Sequence, residues 1–120
     1  MRCFKKPWFQ RFASKEGIAD DTLKKLVEEL EQGRAAANLG SFVYKQRLAR
    51  EGAGKSGGYR IIFYYRKDDR VFFVFGFAKS DMGNVDRRDL AILKAEAQLL
   101  MQCSDNDLKI MVEHRLLMEF

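Results

Sequence analysis

Residues 59–79 have the sequence YRIIFYYRKDDRVFFVFGFAK, and this stretch decides the fold. It contains two long runs of β-branched and aromatic residues, Tyr59–Arg66 and Arg70–Lys79, which favour strands. The polar residues between them, Lys67-Asp68-Asp69, are typical of a tight turn, so the two runs are predicted to form a β-hairpin. Both runs are apolar on both faces in their centres. That pattern indicates a sheet covered by helices on one side and by other structure on the second.

A third strand and three helices are predicted around this hairpin. Phe42–Arg50 alternates in polarity, with Val43, Lys45 and Arg47 on one face. Apolar residues recur at helical spacing in the remaining segments. The predicted helices run from about Pro7 to Gly17, from Asp20 to Gln32 with Asp20 as N-cap and Gly33 as the C′ residue, and from Asp86 to Leu100.

The ends of the chain carry weaker patterns. A short first strand is predicted around residues 2–4, and a short helix from Ser104 or Asp105 precedes LLMEF, a candidate terminal strand. The whole is an α+β fold, with a helical hairpin and a C-terminal helix packed as one layer on a small antiparallel sheet. A length of 120 residues suits a single domain over 1–120, in which about 102–120 form a C-terminal extension.

Composition excludes several classes of protein. No apolar run approaches the roughly 20 residues of a membrane span, and the start MRCFKKPWFQR is too charged for a signal peptide. Cys3 and Cys103 stand far apart without a CxxC pairing, which excludes a zinc module and fits a reducing cytoplasm. His114 is the only histidine and is expected at the surface. We therefore expect a cytoplasmic protein with no metal site and no cofactor.

Positive charge is concentrated in the middle of the chain. The sequence has a formal charge of +5, whereas residues 41–80 hold nine Lys or Arg against three Asp or Glu, a net charge of +6. These residues are also the most aromatic part of the chain. Cations interleaved with aromatic side chains favour a polyanionic partner such as nucleic acid, although a basic sheet edge that deters aggregation has the same composition.

The glycine-rich segment Gly52–Ser56 resembles a phosphate-binding P-loop only superficially. That motif requires a glycine where the chain has Ala49, and a helix rather than a strand after the loop. The segment is instead predicted to be a cationic loop whose Lys55 contacts phosphate.

Five cations lie on or beside the predicted strands: Lys45, Arg47, Lys55, Arg60 and Lys79. Lys45 and Arg47 are two residues apart, so their side chains leave the same face. If the strands are neighbours, the cations converge and can stabilise the extra negative charge of a phosphoryl-transfer transition state. A lysine crowded by like charge can act as a base. An ordinary solvated face is the alternative explanation for the same spacing.

RNA supplies its own nucleophile, the 2′-OH, so a ribonuclease built on these cations needs neither a metal nor a covalent residue. Tyr44, Tyr59 and Tyr64 are candidates for stacking on splayed bases.

Three blocks of this region resemble the RelE/HigB toxins of bacterial type II toxin–antitoxin systems. They are Tyr44–Leu48 (YKQRL), Gly54–Tyr64 (GKSGGYRIIFY) and Phe75–Asp81 (FGFAKSD). The resemblance implies a ribosome-dependent mRNA endonuclease. It also implies a cognate antitoxin, often a helix-turn-helix DNA-binding protein.

The resemblance assigns roles to individual residues. Lys45 and Arg47 match the basic pair near the scissile phosphate, and Arg60 matches the arginine that stabilises charge there. Lys79 matches the lysine that closes the last core strand. RelE has an arginine where this chain has Ser80, and a tyrosine where it has Val85-Asp86. A ParE-like module that binds and inhibits gyrase, or a degenerate toxin that only binds its antitoxin, therefore remains an alternative.

Overall fold

The computed structural model of the chain describes residues 1–34, 36–49, 58–78 and 85–120. Within these ranges the strands are β1 (Arg2–Lys5), β2 (Ala37–Gly40), β3 (Val43–Leu48), β4 (Tyr59–Arg66), β5 (Arg70–Ala78) and β6 (Met118–Glu119). The helices are α1 (Pro7–Glu16), α2 (Asp20–Glu31), α3 (Arg87–Gln102) and α4 (Asp105–Glu113). The strands form one open sheet in the order β2-β3-β4-β5-β1-β6, which makes an α+β fold.

The predicted hairpin is confirmed as the centre of this sheet. β4 and β5 pair antiparallel from Arg66↔Arg70 to Tyr59↔Ala78, with a register shift between Ile62 and Phe63. Asp68 occupies the left-handed region at φ 60° in the turn, a conformation that aspartate tolerates better than most residues.

The sheet is antiparallel except at one pair. β1 runs parallel to β5, because α1 and α2 carry the chain away before it returns, and β6 pairs antiparallel with β1. Both predicted end strands are thus confirmed, while the expectation of a wholly antiparallel sheet is wrong at β1. The edge strand β2 was not predicted, since its sequence ANLG has neither alternation nor β-branched residues.

The expectation of one helical layer is also wrong, because helices cover both faces of the sheet. Ile61 and Phe63 point into a core formed with α1 and α2. Ile62 and Tyr64, which alternate with them, point into a second core formed with α3 and α4. Consecutive residues of a strand face opposite sides, so a strand that is apolar throughout requires two covered faces.

The helix ends follow the sequence signals closely. Asp86 is the N-cap of α3 and accepts a hydrogen bond from the Asp89 N–H. Ser104 forms a capping box at α4 with Asp107. Gly33 lies at φ 86°, as expected of a C′ residue, but the N-cap of α2 is Ala19 and Asp20 falls in the first turn instead.

Three further expectations concern the two cysteines, the histidine and membrane-spanning helices. Both cysteines are free thiols and His114 is exposed, ending α4. No helix in the described ranges is long and apolar enough to cross a membrane.

Gly76 on β5 is required by the close approach of α1. A Cβ at this position would overlap the Phe12 ring. We expect Gly76→Ala to lower the free energy of unfolding by about 1–3 kcal/mol, measured by urea denaturation, because an overpacked core forces its neighbours to shift. Combining it with Phe12→Leu should make this loss smaller than in the wild-type background. Equal urea midpoints for Gly76→Ala and the wild type would contradict the packing argument.

The pair Arg2–Glu119 ties β1 to β6 and makes stability depend on pH. The guanidinium donates to both carboxylate oxygens, at 2.9 and 3.0 Å, which lowers the pKa of Glu119. A lowered folded-state pKa gives stability that is present above the unfolded value, about 4.3 for glutamate, and is lost as pH falls through the folded value.

Glu119→Gln should therefore reduce the free energy of unfolding at pH 7 by up to about 1 kcal/mol, the pair being partly exposed, and change it little at pH 2. Urea titrations at both pH values test this. Glu113→Gln, at an exposed carboxylate of α4, is the control and should behave like wild type. Equal losses from Glu119→Gln at the two pH values would contradict the assignment.

Candidate functional site

Three of the predicted cations lie together on one face of the sheet. In the β3–β4 ladder Arg47 stands directly opposite Arg60, and Lys45 stands opposite Ile62. Opposite residues of an antiparallel pair project to the same face with Cβ atoms about 5 Å apart, and diagonal neighbours are about 7–8 Å apart. Val43, two residues before Lys45, is buried beneath α3, so the three cations share the α3 side of the sheet. We call Lys45, Arg47 and Arg60 the basic face.

Arg60 is the central residue of the basic face. Its ladder partner on one side is Arg47 and on the other is Phe77, so it stands between a cation and an aromatic ring. Its Nη1 is buried and has no hydrogen-bond partner among the described residues. A buried donor without an acceptor raises the free energy of the folded state, and an incoming anion would relieve that cost.

Among the described residues, the two arginines of the basic face have no counter-charge paired with them. Neither Arg47 nor Arg60 forms an ion pair with a carboxylate in the part of the chain that the structure describes. Arg66, at the opposite end of β4, is by contrast paired with Asp69. Strand pairing thus holds the like charges of Arg47 and Arg60 side by side, an arrangement that favours binding of an anion.

An apolar floor lies beside these cations. Ile62 is fully buried, and Phe77 is nearly so. The Phe75 and Phe77 rings lie 5.9 Å apart on the strand next to Arg60. Low polarity beneath a charged group strengthens its electrostatic interaction with a bound anion.

Two of the three tyrosines predicted to stack on bases, Tyr59 and Tyr64, are core residues, which corrects the prediction for them. The third, Tyr44, lies on the face of β3 away from the basic face, where its ring stacks on Phe63 with centroids 5.9 Å apart. Tyr59 lies on the other face of the sheet, where its ring packs edge-on against Phe12 at 5.6 Å. Tyr64 is fully buried under α3, and its hydroxyl donates to Glu96 Oε1 at 2.8 Å. Burial and the nearby carboxylate raise the pKa of Tyr64 well above its ordinary value, so it stays neutral. Alternating aromatic residues in a two-sided strand look the same in sequence whether they stack on a ligand or fill a core.

Lys55, Lys79 and Ser80 fall outside the described residues. Asp86, at the position of the family tyrosine, serves as the helix cap described above. In the described ranges no group of His, Cys, Asp or Glu has the proximity to hold a metal ion.

A comparison with known families identifies the chain. The family model described as the RelE toxin of the RelE/RelB toxin–antitoxin system matches residues 1–120 of the chain. The chain belongs to the RelE toxin family. It is therefore a toxin of a toxin–antitoxin system, with an antitoxin as partner. No curated protein sequence matches it.

One network in this RelE toxin was not predicted. Glu96 of α3 accepts from Tyr64 of β4 and from Lys6 Nζ, the latter at 2.5 Å. It thereby fixes α3 both to the central sheet and to the β1–α1 junction. Glu96 and Tyr64 lie 32 residues apart in sequence, so no local motif announces the contact.

Lys94 is a further cation of α3 that sequence spacing did not single out. A Cβ on Gly40, at the end of β2, would stand 3.2 Å from its Nζ. Gly40 lies opposite Val43 in the ladder, so Lys94 approaches the same side of the sheet as the basic face.

The toxin's unpartnered Arg60 predicts a stabilising substitution. Arg60→Met keeps the apolar stem and removes both the orphan donor and the repulsion from Arg47. We expect the free energy of unfolding to rise by about 1 kcal/mol in a urea titration. Arg66→Met on the same strand is the matched control, and it should lower stability because Asp69 then loses one of its two arginine partners and keeps only Arg70. A loss of stability for Arg60→Met as large as that for Arg66→Met would show that protein contacts satisfy Arg60.

Proposed function

We propose that this toxin is a metal-independent mRNA endoribonuclease that acts on the ribosome and so inhibits translation. The observation that carries the proposal is Arg60, held opposite Arg47 with a buried guanidinium nitrogen that no described residue satisfies. A phosphodiester is an anion that would satisfy it.

The proposed reaction uses the nucleophile of the RNA itself. The 2′-oxygen attacks the adjacent phosphorus as its proton passes to a base, and the bond from phosphorus to the 5′-oxygen breaks as that oxygen gains a proton. The products are a 2′,3′-cyclic phosphate and a 5′-hydroxyl. Lys45 and Arg47 are the candidates for proton transfer and phosphate binding at the two oxygens.

Arg60 is assigned the stabilisation of the transition state. The phosphorus gains negative charge on its non-bridging oxygens as attack proceeds. A fixed guanidinium above an apolar floor interacts more strongly with that state than with the ground state. Because strand pairing holds Arg60 in place, little reorganisation is required when the charge develops.

RNA binding beyond the scissile phosphate is assigned to positively charged side chains. Lys55 and Lys79 are proposed to hold the RNA backbone. Because Tyr59 and Tyr64 lie in the core, they are not proposed to stack on bases. In this proposal the ribosome orders the bases of the mRNA. Because it acts on ribosomes, the toxin is proposed to work in the cytoplasm. The antitoxin that controls it there is proposed to be a helix-turn-helix DNA-binding protein.

Removing Arg60 should abolish cleavage without unfolding the protein. For Arg60→Ala we expect a fall of roughly 10²–10³ in the rate of mRNA cleavage in a reconstituted translation reaction, as for loss of one oxyanion-stabilising donor. Arg11→Ala, which removes the same charge from an exposed site on α1, is the matched control and should cleave at the wild-type rate. A folded Arg60→Ala toxin of full activity would refute the assignment.

Mapping of the RNA ends separates the rival functions. Cuts at codons, with 2′,3′-cyclic phosphate ends and no reaction at a 2′-deoxy nucleotide, support the proposal. Intact mRNA together with a DNA-damage response would indicate a gyrase inhibitor. Intact mRNA without growth arrest, in a protein that still binds its antitoxin, would indicate a degenerate toxin.

A further inference from the structure

An apolar groove lies beside the basic face, between the first turns of α3 and the last residues of β5. It encloses about 300 Å³. Among the described residues its lining is apolar except for the carboxylate of Asp89, and it includes Val74, Phe75, Val85, Asp89, Ile92 and Leu93. Neither the phosphodiester chemistry nor the helix packing described above makes use of it.

The groove exists because β1 is shorter than β5. Their parallel pairing ends at Lys5↔Phe73, after which the chain turns into α1. Phe75, two residues further along β5, is therefore only partly covered, and the ring of Trp8 leans on it with centroids 4.4 Å apart.

Large apolar side chains at this place remain in contact with solvent. Ile92 is 63% exposed and Trp8 is 41% exposed. A single exposed apolar residue is ordinary, but two beside a formed groove are typical of an interaction surface. One turn beyond Ile92, the Lys6–Glu96 ion pair introduces polar groups along α3.

The other end of the groove leads to the basic face. Phe75 and Phe77 are neighbours on one face of β5, and Phe77 is the ladder partner of Arg60. Two residues of strand span about 6.6 Å and one ladder step adds about 5 Å, so Arg60 lies on the order of 10 Å from Phe75.

We propose that this groove binds an apolar side chain of the antitoxin, in a segment whose acidic residues then lie over Arg60 and Arg47. The argument is complementarity of polarity and charge: the apolar groove lies on the order of 10 Å from two arginines that pair with no carboxylate in the described part of the chain. In an extended segment about three residues cover 10 Å, so the acidic positions lie about three residues from the apolar anchor, before or after it according to the direction of the segment. The inhibitory consequence rests on the proposed nuclease function, whereas the binding site does not.

The test measures binding apart from activity. The probes are the antitoxin encoded by the neighbouring reading frame and synthetic peptides tiling its sequence, titrated into the full-length toxin by calorimetry. We expect Ile92→Asp to weaken binding of the antitoxin at least tenfold. The new carboxylate is polar where an apolar side chain docks, and it repels the acidic residues of the antitoxin. Ile92→Arg removes the apolar contact without repelling acids, so it should weaken binding less than Ile92→Asp.

Ile110→Asp is the matched control. Ile110 is an exposed isoleucine of α4 that does not line the groove, so the same substitution there should leave affinity within twofold of wild type. Circular dichroism confirms that each variant is folded. The best-binding peptide should contain an apolar residue with Asp or Glu about three positions before or after it, and replacing those acids by amides should reduce inhibition of cleavage.

Three outcomes would overturn the inference. They are wild-type affinity of Ile92→Asp, tighter binding by Ile92→Arg than by wild type, or a toxin dimer in solution that Ile92→Asp dissociates, which would assign the groove to a second copy. If Ile92→Asp loses antitoxin binding but wild-type toxin cuts no RNA, the docking site stands and the nuclease proposal fails.

Discussion

The register between β3 and β4 is the constraint on which the rest of this toxin depends. Side chains alternate along a strand, so a slip of one residue would exchange the two faces. Arg60 would then enter the core under α1 and α2, and Ile61 would take its place beside the cations. The two cores prevent this, because Ile61 and Phe63 fit one helical layer while Ile62 and Tyr64 fit the other. Packing of apolar residues therefore fixes the position of the charged ones.

The same packing lets the fold tolerate an unfavourable arrangement of charge. Arg47 and Arg60 repel each other, and one nitrogen of Arg60 is buried without an acceptor among the described residues. Such a cost is of the order of 1–3 kcal/mol, which a sheet with two covered faces can absorb. Stability and anion binding are thus opposed at Arg60, as is common where a site is organised before its ligand arrives.

Sequence patterns predicted this fold well where they were local. The β4–β5 hairpin, the starts of α3 and α4 and the cations of β3 all follow from spacing over a few residues. The features that sequence missed depend on distant partners. The direction of β1 is set by β5, the burial of Tyr64 by α3, and the strand β2 by its neighbour β3 rather than by its own residues. The pattern showed that β4 is covered on both sides, but it did not distinguish an aromatic residue that stacks on a ligand from one that fills a core.

The pairing of the two ends of the chain has a consequence for the order of synthesis. β6 lies against β1, and the Phe120 N–H donates to the Cys3 carbonyl 117 positions earlier in the chain. On a ribosome that makes this protein, β1 emerges before both of its partners. β5 emerges after β3 and β4, and β6 emerges well after β5. The sheet edge at β1 therefore stays open to solvent for most of translation and closes last. Of the six described strands, β1 is made first and completes its pairing last.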